Sequence, residues 1–383
     1  MKKFYFIASM ALAISQVFFS CSSSEDSEND INKGQIPESI FKGVSNANSI
    51  VVNPDFNDWY GIDVSRANTF WSNDDVGNAD NVINDYTEWT AEVIWQDIDS
   101  RAINFCDARG NTYSGDSCNK KGIQPLYVKG IRGLKGNVIV GIKKKGAGKD
   151  AYLWSWHLWL TDEPQLISGF MDRNLGAISA SPTGKNKAYG LYYQFGRKDA
   201  FVGNYYNTDL AKYDINGRFL YGGDKTEKGC YLTFTKYVNR PDMIINFSNQ
   251  GSFSSPEEWS KWEKESKYFD KHWYNFTESS GKTFFDPCPE GWRLPTKDDL
   301  EKLTLDERHN CRFVYDKVVN GYSLDGNWFP QCGNYWSTGD IINSNDEYGH
   351  YKNEFQPTVW SFNYNVVYKC NLYELNRVRC IKK

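Results

Sequence analysis

Histidine is scarce in this sequence. The chain of 383 residues has four, at positions 157, 272, 309 and 350. They lie too far apart to give a metal-ligand spacing, so no metal site is expected. Basic charge is not in excess: 44 Lys and Arg stand against 48 Asp and Glu, for a net charge of −4. That balance argues against nucleic acid as a partner. Long hydrophobic runs are missing too. Phe4 to Phe19 is mostly apolar but, with its flanks, too short for an ordinary spanning helix. Gly146-Ala-Gly-Lys149 lacks the full spacing and the following Ser or Thr of a phosphate loop. No nucleophile, base and orienting group stand in a partnered set, so no catalytic residue and no cofactor are expected.

Aromatic side chains, by contrast, are abundant: 16% of the chain, with 14 Trp and 25 Tyr. The length allows two or three domains and a substantial core. Lys2 and Lys3 followed by the apolar stretch read as an export signal over residues 1–21. Its end, Val17-Phe-Phe-Ser-Cys21, resembles a bacterial lipobox, although Phe19 stands where the usual box has a smaller residue. Cys21 would then be the acylated first residue, holding the protein to the outer membrane. Residues 22–45 form a tether. Its start, Ser22 to Asp30, has no apolar residue and stays solvated, and it resembles the surface-export tag of Bacteroidota lipoproteins.

Residues 46–162 read as an antiparallel β-sandwich. Ser49-Ile-Val-Val-Asn53 is a short apolar run, and Ala91 to Asp97 alternates, with Ala91, Val93 and Trp95 on one face. Asn137–Lys143 and Ala151–Leu160 make a hairpin through the glycine-bearing turn 144–150. Trp154, Trp156 and Trp159 serve either as a sugar-stacking platform or as packing, and packing is favoured because alternate strand positions must be buried. His157 reads as a hydrogen-bonded strand residue. Cys106 and Cys118 flank a polar loop between strand-like runs, so a disulfide there is expected to pin a hairpin.

Glu163-Pro164 marks a joint, and residues 163–383 follow as a second domain. Arg173, Arg197, Lys198 and Asp199 are candidates for a structural ion network. Ser181-Pro-Thr-Gly184 reads as a turn. Ser255-Pro-Glu-Glu258 starts a helix whose stripe of Trp259, Trp262 and Phe269 reads as core. In Asp286-Pro-Cys-Pro-Glu-Gly-Trp-Arg-Leu-Pro-Thr296, prolines enforce a stiff, non-helical path. Thr296 and Asp299 then make a capping box, with Leu300 and Leu303 on the apolar side of the helix and Trp292 and Leu294 packing back onto it. Arg312–Val319 reads as a strand ending in an Asn320-Gly321 turn, and Asp340 to Tyr348 as a solvated loop.

Cys288-Pro-Glu-Gly-Trp-Arg-Leu-Pro-Thr296 resembles the central motif of the Fibrobacter succinogenes major paralogous domain family of surface proteins. Met171-Asp-Arg-Asn-Leu-Gly176, Gly190-Leu-Tyr-Tyr-Gln-Phe-Gly-Arg197 and Val378-Arg-Cys-Ile381 are similar to its other motifs, in the same order. Such domains are related to C-type lectin-like and formylglycine-generating-enzyme folds. The resemblance therefore implies an α+β chain: a β-sandwich, then a C-type lectin-like α+β domain whose terminal strands pair. It also implies disulfides Cys288–Cys380 and Cys332–Cys370, with Cys230 and Cys311 left open, paired or free. Calcium-dependent sugar ligation in lectin-like domains needs Glu-Pro-Asn or Gln-Pro-Asp. Gln356-Pro-Thr358 is the nearest match and lacks the third ligand. The related oxidases hold a metal on two closely spaced cysteines, whereas Cys370 and Cys380 are ten apart.

A non-catalytic outer-membrane surface lipoprotein is therefore expected, binding a glycan or protein ligand or joining a fimbria-like assembly. An oxidase and a purely structural envelope protein are the alternatives. Labelled palmitate should enter the protein and be lost in Cys21→Ala. Protease treatment of intact cells should remove everything beyond the tether, whereas protection would place the protein on the periplasmic side.

Overall fold

The structure is a computed structural model. It describes residues 36–73, 77–115, 117–202, 284–308, 310–330 and 334–338, with shorter pieces at 212–213, 219–221, 226–228, 234–246, 282, 340–345, 351–356, 358–361, 366–369 and 375–383. Nine strands come first: β1 (Phe41–Ser45), β2 (Ser49–Val52), β3 (Trp59–Ile62), β4 (Glu88–Gln96), β5 (Ile103–Cys106), β6 (Ser117–Lys121), β7 (Leu126–Gly130), β8 (Gly136–Lys144) and β9 (Tyr152–Leu160). Three short α-helices are present among the described residues: α1 (Arg66–Trp71), α2 (Phe234–Asn239) and α3 (Lys297–Thr304).

β8 and β9 form the expected hairpin, with Gly146 at φ +81° in its turn. Every residue of β9 is buried, so both faces of this strand are covered. The hairpin sits in a seven-stranded sheet in the order 219–221, 212–213, β4, β8, β9, β2, with β6 also paired to β4. β2 runs parallel to β9, and in a second sheet (β1, β3, β7, β5) β1 runs parallel to β3. The register of β4 on β8 shifts between Val93 and Trp95. Val93 pairs with Val140 but Trp95 with Ile139, so the expected shared face of Ala91, Val93 and Trp95 breaks there and Trp95 points to the other side.

The later strands fill three more sheets: 166–167, 170–171, 381–382 and 292–293; then 200–201, 192–194, 375–377, 335–336, 358–361 and 366–369; then 314–316, 321–324 and 327–330. Two two-stranded ribbons complete the set. The five sheets are arranged as a five-bladed β-propeller. This corrects the expected architecture of an antiparallel β-sandwich followed by a C-type lectin-like α+β domain. Parallel pairings inside the first region are foreign to an antiparallel sandwich. Tyr213 pairs with Gln96, so a strand from beyond residue 163 completes the sheet of β4. One core cluster runs from Ile50 through Trp154 and Tyr193 to Cys380.

Local expectations also need revision. The strand expected at 312–319 is confined to Val314–Asp316, and residues 317–320 form the turn, with Asn320 at φ +49°. The 181–184 turn opens a 3-10 helix, Pro182–Ala188, capped by Ser181. Asp340–Asn345 is a strand paired with Tyr351–Gln356 rather than a loop. The helix expected from Ser255 lies outside the described residues.

The proline-rich corner is built around two buried charges. Asp286 accepts hydrogen bonds from the backbone N–H of Cys288 (2.7 Å) and of Leu294 (2.9 Å). The Lys282 ammonium donates to the carbonyls of Cys288, Pro289 (3.0 Å) and Trp292 (3.1 Å), and lies 4.0 Å from Asp286 Oδ1. Burial raises the Asp286 carboxyl above its usual range, with Lys282 opposing. The capping box forms: Thr296 Oγ1 accepts from Asp299 N–H, and Asp299 accepts from Thr296 N–H. Trp292 and Leu294 enter the main core, while Leu300 enters a second cluster with Phe170, Phe329 and Trp360. The corner thus bridges two cores instead of packing back on its own helix.

The amino-terminal strands grip this corner. Asn48 donates to the carbonyls of Phe284 (2.8 Å) and Asp286 (3.0 Å), and the Arg66 guanidinium lies 4.5 Å over the Phe284 ring. Asp286→Ala should cost about 3 to 5 kcal/mol, because it leaves two buried backbone N–H donors without their acceptor and removes the carboxylate beside a buried lysine. Arg293→Ala, which breaks the partly buried pair with Asp299, should cost less, about 1 kcal/mol. Urea unfolding with unchanged m-values compares the two. Equal losses would mean that the buried acid does not hold the corner.

Candidate binding surface

The three strand tryptophans are packing residues, with Trp154 and Trp159 fully buried and Trp156 nearly so. Trp154 lies 4.9 Å from Phe284 and 5.5 Å from Phe285, and Trp159 Nε1 donates to Ala177 O. They offer no platform to a sugar.

The arginines and lysine expected in one ion network form ion pairs in two separate groups, Arg173 in one and Arg197, Lys198 and Asp199 in the other. Arg173 bonds both oxygens of Asp172 (2.9 Å each) and Asp162 (2.9 Å). Lys198 bonds Asp199 (2.6 Å), and Arg197 reaches the other oxygen of Asp199 at 3.4 Å. Ser155, which the sequence did not single out, joins them: it donates to Asp199 (2.6 Å) and accepts from Lys198. The signal was available in principle, because Ser155 is the polar residue between Trp154 and Trp156. The Lys198 ammonium lies 4.5 Å over Trp154, and burial lowers it to about 8 against the pull of Asp199. With Ser155 at 1% exposure, a substrate has no approach to this serine–lysine pair, and its chemistry is structural.

A second buried network surrounds His157. Asn137 Nδ2 donates to Asp97 (2.6 Å) and to Gly176 O (2.9 Å), so its Oδ1 is left to accept from His157 Nε2 at 2.8 Å. Nδ1 of the same ring then accepts from Ser49 Oγ at 3.1 Å. Both contacts suit a neutral ring, and burial holds the imidazole down to about 3.

Cys288 and Cys380 are joined, with Cα atoms 6.0 Å apart. The expected Cys106–Cys118 bridge is not formed, and both thiols are free and buried. The two residues belong to different sheets. Cys106 pairs with Tyr127 on β7 and packs with Ile36 and Trp59, while Cys118 pairs with Ala91 on β4 and packs in the main core. Burial pushes the thiols up to about 12 and about 11, so neither is a thiolate. Cys311 is free and half-buried. Cys21, Cys230, Cys332 and Cys370 lie outside the described residues, as do His272, His309 and His350. Among the described residues no group of His, Cys, Asp or Glu could hold a metal, and no helix is long and apolar enough to cross a membrane.

The open surface of interest lies at the ends of β4, β6 and β8. The exposed Glu88–Lys145 ion pair (3.1 Å) forms a ridge between two shallow troughs of about 510 and 760 Å³. The first is floored by Tyr113 and edged by Arg109, Asn119, Lys120, Lys121 and Gln124. The second is edged by Tyr86, Thr87, Asn84 and Lys144. Lys144 is tied to the Asp80 carbonyl, and Asp107 is used within its own turn, accepting from Arg109 N, Asn111 N and Asn111 Nδ2. Among the described residues, Arg109, Lys120 and Lys121 enter no ion pair; the Lys120 ammonium lies 5.2 Å over Tyr113. This surface was missed in the sequence, where Lys120-Lys121 was not singled out and Lys143-Lys144-Lys145 was divided between a strand end and its turn. Two lysine runs in an acidic chain were the signal.

No protein-family model, curated protein or solved structure matches the chain.

The His157 network makes a pH prediction. Below the ordinary histidine value of 6.5 the unfolded chain takes up a proton that the folded ring refuses until about 3, so acid destabilises the fold. Asp97 works the other way. Burial raises it from 3.8 to about 6, so over that window the folded chain holds the extra proton. The two effects oppose between 3.8 and about 6. In His157→Gln only the Asp97 effect remains. Relative to wild type, the variant should therefore gain about 1.4 kcal/mol per unit as the pH falls below 6.5. Urea midpoints of both proteins across that range test this, and a pH-independent difference would refute it.

Proposed function

We propose that this chain is a non-catalytic surface lipoprotein, anchored in the outer membrane through Cys21, whose folded part binds a glycan or protein ligand, alone or within a fimbria-like assembly. We place it with the Fibrobacter succinogenes major paralogous domain family on the motifs of residues 171–176, 190–197, 288–296 and 378–381. The strand around Phe170 pairs with Ile381, which pairs in turn with Arg293, so three of these motifs lie side by side. The fourth joins through the pairing of Tyr192 with Arg377.

The observation that carries the binding role is the contrast between the two kinds of charge. The buried Arg173, Arg197, Lys198 and Asp199 are spent on ion pairs. Arg109, Lys120 and Lys121 stand beside Tyr113 in an open trough with no ion-pair partner among the described residues. Unpaired cations around an aromatic floor are a recognition surface rather than a stability device. The Cys380 thiol is consumed by Cys288, which removes one of the two cysteines an oxidase of the related kind would need.

Screening the chain from Ser22 onward against glycans and matrix proteins, with and without calcium, tests the proposal. Saturable, calcium-independent retention is expected. Retention of nothing under any condition would favour a structural envelope role, and bound copper with turnover of a cysteine peptide would favour the oxidase.

A further inference from the structure

We infer that the ligand of the two troughs is a polyanionic glycan, carrying carboxylates or sulfates along its length. This rests on the binding role proposed above and names the chemistry of its ligand. Five basic side chains, Arg109, Lys120, Lys121, Lys144 and Lys145, edge the troughs against three acids, Asp80, Glu88 and Asp107. Glu88 is neutralised by Lys145. Asp107 is surrounded by the donors of its own turn. The field at the mouth is therefore positive on a chain whose net charge is −4. A polyanion is repelled by the net charge of the molecule and attracted to this patch, so the patch acts as a local selector.

The rest of the lining favours a saccharide over an acidic peptide. Peptide and protein partners are anchored by apolar side chains sunk into desolvated pockets. The troughs have none: Ala79, Ala108 and Val82 are their only aliphatic side chains. Tyr113 and Tyr86 supply aromatic rings, with Lys120 over the Tyr113 ring, and Asn84, Asn119 and Gln124 supply amides suited to hydroxyls. The troughs adjoin across the Glu88–Lys145 ridge, which suits a chain-like ligand lying along both. That ion pair is half exposed, so opening it costs little.

The test measures retention of the full folded chain on polygalacturonate, on a sulfated galactan, on neutral dextran and on poly-glutamate of matched charge, at low and high salt. Binding to one or both acidic glycans is expected, falling with salt, with dextran and poly-glutamate left unbound. The carboxylated and sulfated arms show which group is preferred. Arg109→Gln/Lys120→Gln/Lys121→Gln should weaken binding about tenfold or more. Lys129→Gln/Arg132→Gln, in the separate trough beside Phe56, should leave it unchanged. Equal losses in both variants would reduce the effect to bulk charge and overturn the inference. Binding of poly-glutamate as tight as the glycans would also overturn it, in favour of an acidic protein ligand. Saturable binding of a neutral glycan, unaffected by the triple variant, would refute this inference while keeping the binding role. Retention of no ligand at all would refute both.

Discussion

The fold depends on a carboxylate that water cannot reach. Asp286 is 2% exposed, and an isolated charge at that depth would cost several kcal/mol. Two backbone N–H groups and the nearby Lys282 ammonium offset that cost, and Lys282 in turn needs the carbonyls of Cys288, Pro289 and Trp292. The demand for full satisfaction therefore dictates the path of the chain from 286 to 294. That path puts Cys288 in bonding range of Cys380, Trp292 in the main core and Leu300 in the second one. Closing a loop with a sequence separation of 92 adds about 4.6 kcal/mol in the chain-entropy picture.

The same accounting links the two ends of the chain. Carbonyls at 284 and 286 receive Asn48 and Arg66, and the rings of Phe284 and Phe285 pack on Trp154. Arg379 does a similar service on the other side: it donates to Asn174, Met171 and Trp328 and lies 4.0 Å over Phe329. Buried cations here act as connectors, each gathering carbonyls from segments far apart in sequence. Such groups must be paired once they are inside, so the pairing specifies which segments meet. Where charge is left unpaired, at Arg109, Lys120 and Lys121, it faces solvent, where the lack of a partner costs little and a ligand can supply one.

Part of the local chemistry was legible, although the strand read at 312–319 is confined to Val314–Asp316 and the loop read at 340–348 begins as a strand. The capping box at Thr296, the stiff corner before it, the hairpin of β8 and β9, the buried role of the tryptophans and the ion pairing of Arg173 and Lys198 follow from rules acting over a few residues. The Cys288–Cys380 bridge came from a resemblance, not from spacing. Two errors have a different origin. The shared face of Ala91, Val93 and Trp95 failed because a register shift is decided by the partner strand. The Cys106–Cys118 bridge failed because the polar loop between them joins two sheets, not the two strands of one hairpin.

The sequence by itself determined the β8–β9 hairpin, the stiff corner before Thr296, the capped helix after it and the burial of the strand tryptophans, because those properties depend on side-chain pattern and nearest neighbours. Only the tertiary structure decided that β2 runs parallel to β9, that residues 212–213 extend the sheet of β4 and that the sheets stand as propeller blades. It alone placed Lys120 and Lys121 near Arg109, Tyr113 and Lys145 in one open trough. Strand pairing joins residues across tens or hundreds of positions. It is settled by the mutual burial of whole faces, a collective quantity that no local stretch of the chain contains.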